Sequence, residues 1–184
     1  MEICVTSCAK GGTGKTTFSF ILAHVLHYIT KKKIYIINLS KIPYNIESKL
    51  FIHNKYLIYK DGFAVLDFPA FTKYDEAMHA ALRRCDSIIV VADEDPHTLE
   101  SVRLCAEVIR GKVVAVVLNQ VIGRPSLKYL VAYRALGRVY VVRFDERLRI
   151  YRGEGVDPGE AKSKAVAEMI KAAVDIAKRI LAPR

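Results

Sequence analysis

A segment of glycines, lysines and threonines near the N-terminus has the residue types and spacing of a phosphate-binding loop. It runs Lys10-Gly11-Gly12-Thr13-Gly14-Lys15-Thr16-Thr17. Glycines carry no Cβ, so backbone N–H groups between them can approach phosphate oxygens closely. At this spacing Lys15 would bind the outer phosphates of a nucleoside triphosphate, and the Thr16 hydroxyl would ligate Mg²⁺. The alternative, a plain glycine turn, is disfavoured because Gly-Lys-Thr completes the pattern.

Such a loop needs a strand before it and a helix after it, and the sequence predicts both. Ile3–Ser7 is short and apolar, and Thr16–Tyr28 has a helical pattern of apolar residues. The N-terminus of a helix carries a partial positive charge that attracts phosphate. We therefore predict that residues 10–17 bind ATP together with Mg²⁺.

The remaining sequence alternates short apolar runs with helical patterns, which is typical of a parallel α/β sheet. Further strands are predicted at Lys33–Leu39, Phe63–Leu66, Ser87–Ala92, Lys112–Leu118 and Val139–Arg143. Further helices are predicted at Tyr74–Arg84, Pro96–Arg110, Ser126–Leu136 and Pro158–Leu181. We predict one three-layer P-loop domain over residues 1–184, with a mostly parallel sheet of roughly six to seven strands between helices. Asp61-Gly62 between Lys55–Lys60 and Phe63–Leu66 favours a hairpin, which would add an antiparallel edge strand.

The composition is that of a globular protein, with 52% hydrophobic and 26% charged residues. No stretch approaches the ~18 apolar residues of a membrane span, and no basic segment precedes an apolar one at the N-terminus. Four cysteines without ligand-like spacing are predicted to be small core residues rather than ligands of zinc or an iron–sulfur cluster; they are Cys4, Cys8, Cys85 and Cys105. We expect a cytoplasmic protein.

The loop from Lys10 to Thr16 resembles the deviant Walker A motif of the ParA/MinD family of ATPases. The resemblance implies that Lys10 reaches across a nucleotide-sandwich dimer to the phosphates of the other subunit, as an arginine finger does. It also implies a nucleotide-dependent homodimer. The alternative is that Lys10 is a solvated loop lysine.

Two further segments resemble the same family. Ala64–Pro69 is similar to its Walker B segment, so Asp67 is expected to hold Mg²⁺ through water. Val116–Asn119 is similar to the strand whose asparagine contacts the base, and an amide has the donor and the acceptor for a purine edge. The alternative for Asn119 is a plain strand-terminating residue. Phe144 lies where the family usually has a Pro-x-Asp loop flanking the base, and the sequence departs from that pattern here.

One departure concerns hydrolysis. The family has an Asp-x-Asp switch after the second strand, whereas this sequence has Asn38 and Ser40 there. Neither side chain accepts a proton as a carboxylate does, and losing such a group typically costs about 10²–10⁴ in rate. We expect ATP binding with slow or lost hydrolysis, with Asn38 as a candidate for positioning water. Asp93, Glu94 and Asp95 are alternative carboxylates, although an acidic capping turn explains them as well.

The net charge of +10 favours anionic partners. Between residues 124 and 152 the chain is basic, with interspersed tyrosines, and such a surface could bind DNA without sequence preference; these residues are Arg124, Lys128, Arg134, Arg138, Arg143, Arg147, Arg149 and Arg152, with Tyr129, Tyr133, Tyr140 and Tyr151. An ordinary basic face is the alternative. The amphipathic final helix is expected to dock on the sheet rather than to bind a membrane.

The leading hypothesis is therefore a ParA/MinD-like ATPase whose ATP-bound dimer acts in DNA or plasmid partition or in cellular positioning, with a protein partner that the sequence does not identify. Two alternatives stay open. One is a nucleotide-dependent scaffold that does not hydrolyse ATP, and the other is a maturation ATPase that loads metals or clusters.

Overall fold

In the part of the chain that the structure describes, the sheet contains seven strands, all parallel. The structure is a computed structural model that describes residues 1–40, 42–44, 46, 48, 50–53 and 62–182. The strands are β1 (Glu2–Thr6), β2 (Ile34–Asn38), β3 (Phe51–His53), β4 (Phe63–Asp67), β5 (Ser87–Ala92), β6 (Val113–Val121) and β7 (Arg138–Arg143). Their spatial order is β3-β2-β4-β1-β5-β6-β7, and each neighbouring pair is parallel.

Helices cover both faces of the sheet. They are α1 (Lys15–Thr30), α2 (Glu76–Arg84), α3 (Pro96–Ile109), α4 (Leu127–Arg134), α5 (Glu146–Gly153) and α6 (Lys164–Leu181). Successive side chains of a strand point to opposite faces. Ile3 and Val5 accordingly pack in the core under α1 and α6, whereas Cys4 packs in the core under α2, α3 and α4. The predicted three-layer α/β fold is confirmed.

The sequence prediction missed two short elements and misplaced the start of the last helix. Neither β3 nor α5 was predicted. Helix α6 begins at Lys164 instead of Pro158, because Ser163 caps it by accepting a hydrogen bond from the backbone N–H of Val166. The predicted strand at Lys55–Lys60 lies outside the described residues.

All four cysteines are buried, as predicted, but two of them are bonded. Cys4 on β1 and Cys85 after α2 form a disulfide with a Cα–Cα distance of 6.0 Å. A separation of 81 residues gives no sequence signal for this pairing. Disulfides are rare in reducing compartments, so cysteine usage does not support the cytoplasmic assignment, which stays a prediction.

None of the helices in the described part of the chain combines the length and the apolar character that crossing a bilayer requires.

Candidate nucleotide-binding site

The predicted phosphate loop connects β1 to α1 at the carboxyl end of the central strand. In open parallel sheets this edge is where ligands bind, close to the point where the strand order reverses. Gly14 has a φ of 96°, and a Cβ added there would lie 2.3 Å from Asn119 Nδ2. Glycine is therefore required at this position for its conformation and for the close approach of β6.

Lys15 is buried, and its ammonium group lies inside the loop. Nζ donates to Ser7 Oγ at 2.8 Å and to the Lys10 carbonyl oxygen at 2.9 Å. Both partners are neutral, and they hold the positive charge inside the loop. An ammonium group held in this way at the start of a helix can bind phosphate oxygens.

Helix α3 holds the base of the loop. The hydroxyl of Ser101 accepts from the backbone N–H of Ala9 at 2.6 Å and donates to the Ser7 carbonyl oxygen at 3.1 Å. Ser101 is thus a structural partner of the loop that the sequence prediction missed, because nothing in the sequence links residues so far apart.

Thr16 and Asp67 lie together, as expected for a magnesium site. Thr16 Oγ1 donates to Asp67 Oδ2 at 2.7 Å, and Ser19 Oγ donates to Oδ1 at 3.2 Å. Burial raises the pKa of Asp67, although hydrogen bonds from Thr16 and Tyr44 oppose the increase. A hydroxyl beside a buried carboxylate is a hard oxygen donor set of the kind that Mg²⁺ prefers, so the residues fit the ion.

A residue that the sequence prediction missed also contacts Asp67. The hydroxyl of Tyr44 donates to Asp67 Oδ2 at 2.7 Å. Burial, together with the charge of Asp67 and this hydrogen bond, raises the pKa of Tyr44 well above its ordinary value. The phenol therefore stays protonated and acts as a donor.

Lys10, the residue expected to act in trans, is ion-paired within its own chain. Its Nζ lies 3.1 Å from Asp95 Oδ2, so it is not simply a solvated lysine. Asp95 also caps α3 by accepting from the backbone N–H of His97 at 2.7 Å. This backbone hydrogen bond, followed by the contact with Lys10, lowers the pKa of Asp95.

Two consecutive amide side chains at the end of β6 bind the loop. Asn119 Nδ2 donates to the Thr13 carbonyl oxygen, and Gln120 Nε2 donates to the Gly12 carbonyl oxygen, each at 2.8 Å. Neighbouring residues in a regular strand point to opposite sides. Gln120 has a φ of 61°, which breaks the alternation and allows both amides to reach the loop.

A cavity of about 320 Å³ lies between the loop and the segment after β7. Thr17 and Asn119 line it on the side of the loop, and Phe144 and Leu148 line it on the other. Asp145, two residues after the end of β7, accepts hydrogen bonds from Ser163 Oγ and the Lys164 backbone N–H at 2.8 and 2.9 Å. Asp145 thus fixes the segment that carries Phe144.

The two residues in place of the switch carboxylates form a turn. Asn38 Nδ2 donates to the Ile42 carbonyl oxygen at 2.8 Å, and Asn38 Oδ1 accepts from the Ser40 backbone N–H at 2.9 Å. Ser40 Oγ accepts from the Ile42 backbone N–H at 2.9 Å. This turn lines a cavity of about 370 Å³ together with Lys15, Thr16 and Asp67. Its side chains shape the cavity beside the phosphate site and contribute no carboxylate.

The basic stretch from residue 124 to 152 occupies α4, β7 and α5. Its arginines and lysine whose side chains are described are exposed. Arg143 pairs with Glu168, and Arg138 lies 3.7 Å from Asp175. Tyr129 and Tyr133 are buried, so these two tyrosines cannot stack on nucleotide bases. The exposed arginines and lysine remain available to contact phosphates of DNA.

The fold is shared with several solved structures. A ParA family ATPase from Chlorobium tepidum has a TM-score of 0.69 at 12% identity, covering 94% of this chain and 98% of its own. The septum site-determining protein MinD from Pyrococcus horikoshii, complexed with Mg-ADP, has a TM-score of 0.66 at 18% identity, covering 94% and 93%. A variant of McdA from Cyanothece in complex with ATP has a TM-score of 0.67 at 14% identity, covering 95% of each chain.

No protein-family model matches the sequence, and no curated protein matches it. The structural matches show that the chain has the fold of the ParA/MinD-type P-loop ATPases, as the resemblance of its motifs predicted.

Proposed function

We propose that the protein is a Mg²⁺–ATP-binding P-loop ATPase of the ParA/MinD type, whose ATP-bound form dimerises and acts in partition or cellular positioning. One observation carries the proposal: the ammonium group of Lys15 lies within the loop, with Thr16 and Asp67 in contact beside it. Solved structures of the same fold hold Mg-ADP or ATP, which supports the choice of ligand.

In this proposal each group has a defined role. Lys15 and the backbone of residues 11–17 bind the phosphates, and Thr16 and Asp67 hold Mg²⁺, which would neutralise phosphate charge. Asn119 contacts the base in the cavity that it lines. Lys10 leaves Asp95 and binds the phosphates of a second subunit.

The first experiment is a measurement of nucleotide binding and mass in solution. Wild type should bind ATP with Mg²⁺ and sediment as a dimer, while Lys15→Ala should lose nucleotide binding. Lys10→Ala should bind ATP and stay monomeric. Wild type that does not bind ATP would refute the proposal, and a Lys10→Ala dimer would refute the role in trans.

The action on an anionic surface is tested separately, with nonspecific double-stranded DNA at moderate salt and with ATP, ADP or no nucleotide. Binding promoted only by ATP, and lost in Lys10→Ala and Lys15→Ala, is the expected result. Binding that is absent or indifferent to nucleotide would exclude a DNA-partition role.

A second candidate is a nucleotide-dependent scaffold without hydrolysis. The turn after β2 favours it, because the amide of Asn38 is used to hold Ile42. ATP binding and dimerisation without phosphate release would support this candidate over the ATPase. The alternative of a metal-loading ATPase stays a prediction.

A further inference from the structure

Among the described residues, three hydroxyl groups donate hydrogen bonds to the carboxylate of Asp67, and one of them lies outside the phosphate loop and its helix. Thr16 and Ser19 belong to α1, whereas Tyr44 belongs to the segment between β2 and β3, 23 residues before Asp67. Only 4% of Asp67 is exposed. Hence the segment after β2 reaches the carboxylate of Asp67 through the hydroxyl of Tyr44.

The ring of Tyr44 is packed in one orientation. It meets the fully buried ring of Phe20 edge to face, with a centroid distance of 5.3 Å and an interplanar angle of 68°. This geometry is favourable for aromatic pairs. The packing directs the hydroxyl group towards Asp67, so the hydrogen bond is a defined feature of the structure.

The hydrogen bonds leave little room for another donor at Asp67 Oδ2. A carboxylate has about four lone-pair sites on its two oxygens, and both sites of Oδ2 are taken by Thr16 and Tyr44. Protein-bound Mg²⁺ usually keeps several water molecules. Thr16 could ligate the metal and still donate its proton to Oδ2. A metal-bound water that donated to Oδ2 would therefore compete with Tyr44 for this oxygen.

We propose that Tyr44 is a positioning residue that couples the segment after β2 to the magnesium site, being displaced from Asp67 when Mg²⁺ binds with nucleotide. The inference rests on the proposed nucleotide-binding function and goes beyond it by assigning a regulatory contact. Ile42 and Pro43 line the same cavity as Lys15 and Asp67. Movement of Tyr44 therefore changes the shape of the cavity beside the phosphates.

The test is a magnesium titration of the protein loaded with ADP, in wild type, Tyr44→Phe and Tyr140→Phe. Phenylalanine keeps the ring packed on Phe20 and removes only the hydroxyl. Without its competitor, Mg²⁺ should bind Tyr44→Phe about tenfold more tightly, the order expected for one hydrogen bond to a charged group. Tyr140→Phe also removes a hydrogen bond from tyrosine to aspartate, here to Asp175, and should leave magnesium affinity unchanged. Unchanged or weaker magnesium affinity in Tyr44→Phe would overturn the proposal.

A second readout follows the tyrosine itself. In protein labelled with 3-fluorotyrosine, the ¹⁹F resonance missing from Tyr44→Phe belongs to Tyr44. It should shift when Mg²⁺ is added to the ADP complex and should stay in place when ADP is added with EDTA. A resonance that does not respond to Mg²⁺ would contradict the displacement.

Affinity for ADP in EDTA separates this inference from the proposed function. Wild type and Tyr44→Phe should bind ADP equally without metal, because the phosphate loop is intact in both. If wild type does not bind ADP, the proposed function fails. If both bind ADP but respond identically to Mg²⁺, only the role of Tyr44 is wrong.

Discussion

Lys10 is held by an acidic residue of its own chain, at the base of α3. In the proposed dimer the same ammonium group binds phosphates of the other subunit, so the ion pair with Asp95 must break first. Exposed ion pairs contribute little to stability, and this one is accordingly a modest barrier to dimerisation. Removing the ion pair with Asp95 therefore tests whether Lys10 must be released before the dimer forms.

Asp95→Asn should strengthen ATP-dependent dimerisation by a few-fold, since Lys10 loses its partner within the chain. Asparagine still caps α3 through its side-chain oxygen, so the helix is preserved. Sedimentation equilibrium with ATP and Mg²⁺ measures the dimer dissociation constant. Equal constants for the variant and wild type would show that the ion pair does not restrain Lys10.

Ser40→Asp should raise the rate of ATP hydrolysis. An aspartate can accept the hydrogen bond from the Ile42 backbone N–H that Ser40 accepts now, and it places a carboxylate beside the phosphate site. We expect an increase of about 10²-fold, the lower end of the contribution of a positioned acid or base.

Steady-state phosphate release measures this increase, with Ser40→Asn as the matched uncharged control that keeps the same turn. An equal rate in both variants would mean that the missing carboxylate does not limit hydrolysis.

At the scale of elements, the sequence predicts what depends on local pattern. The strand, loop and helix from Ile3 to Tyr28 were predicted because glycine spacing and apolar periodicity are local properties. Thr16 was assigned to Mg²⁺ from the spacing of the loop and Asp67 from the resemblance to a Walker B segment. The two side chains meet because the strands before them are parallel and end at one edge of the sheet. Tyr44 could not be predicted, since its contact depends on the path of a segment without a motif. Three-residue β3 is also too short to have a periodic signal.

Asn119 of β6 holds the phosphate loop through its hydrogen bond to Thr13. Its side chain therefore has two proposed roles, holding the loop and contacting the base, and one variant can separate them. Asn119→Ala should weaken the binding of inorganic tripolyphosphate by about tenfold, because the loop loses a buried hydrogen bond at Thr13. It should weaken the binding of ATP further, because the proposed contact with the base is lost as well. Competition against a fluorescent ADP analogue measures both affinities. A loss confined to ATP would show that Asn119 contacts the base and does not hold the loop.

Asp157 connects three parts of the fold that lie far apart in sequence. It accepts from Ser48 Oγ and from the Gly159 backbone N–H, and its Oδ2 lies 2.9 Å from His24 Nε2 of α1. Gly159 must be glycine, since a Cβ there would lie 2.3 Å from His24 Cδ2. Burial acts to raise the pKa of Asp157, but the hydrogen bonds from His24 and Ser48 outweigh it and lower the pKa.

Asp157→Asn should therefore reduce the free energy of unfolding by about 1–3 kcal/mol at neutral pH. The folded pKa lies below the ordinary 3.8, so the stabilisation is complete above pH 3.8 and is lost as the pH falls through the folded value. Urea unfolding at several pH values should show the difference from wild type shrinking below pH 3.8. A constant difference down to pH 2 would contradict the assignment.

At the scale of the whole molecule, the disulfide between Cys4 and Cys85 should be a large contributor to stability. Closing a loop across a separation of 81 residues restricts the unfolded chain, which stabilises the fold by about 4.5 kcal/mol in the chain-entropy treatment. For a domain of this size, that corresponds to a melting temperature lower by about 10 °C when the bond is reduced. Calorimetry with and without reductant measures the change.

The control is the double variant Cys4→Ala with Cys85→Ala, whose melting temperature should not respond to reductant. If reductant also leaves the melting temperature of the wild type unchanged, the two thiols are not bonded in solution.

The disulfide also encloses one part of the candidate site and leaves another part outside. The covalent ring from Cys4 to Cys85 contains Lys15, Thr16, Tyr44 and Asp67, hence every side chain assigned to phosphate and metal. Asn119 and Phe144, which line the cavity on the other side of the loop, lie outside the ring. One backbone cut within the ring would therefore leave the groups assigned to phosphate and metal covalently connected. One cut between Cys85 and Asn119 would separate them from Asn119 and Phe144.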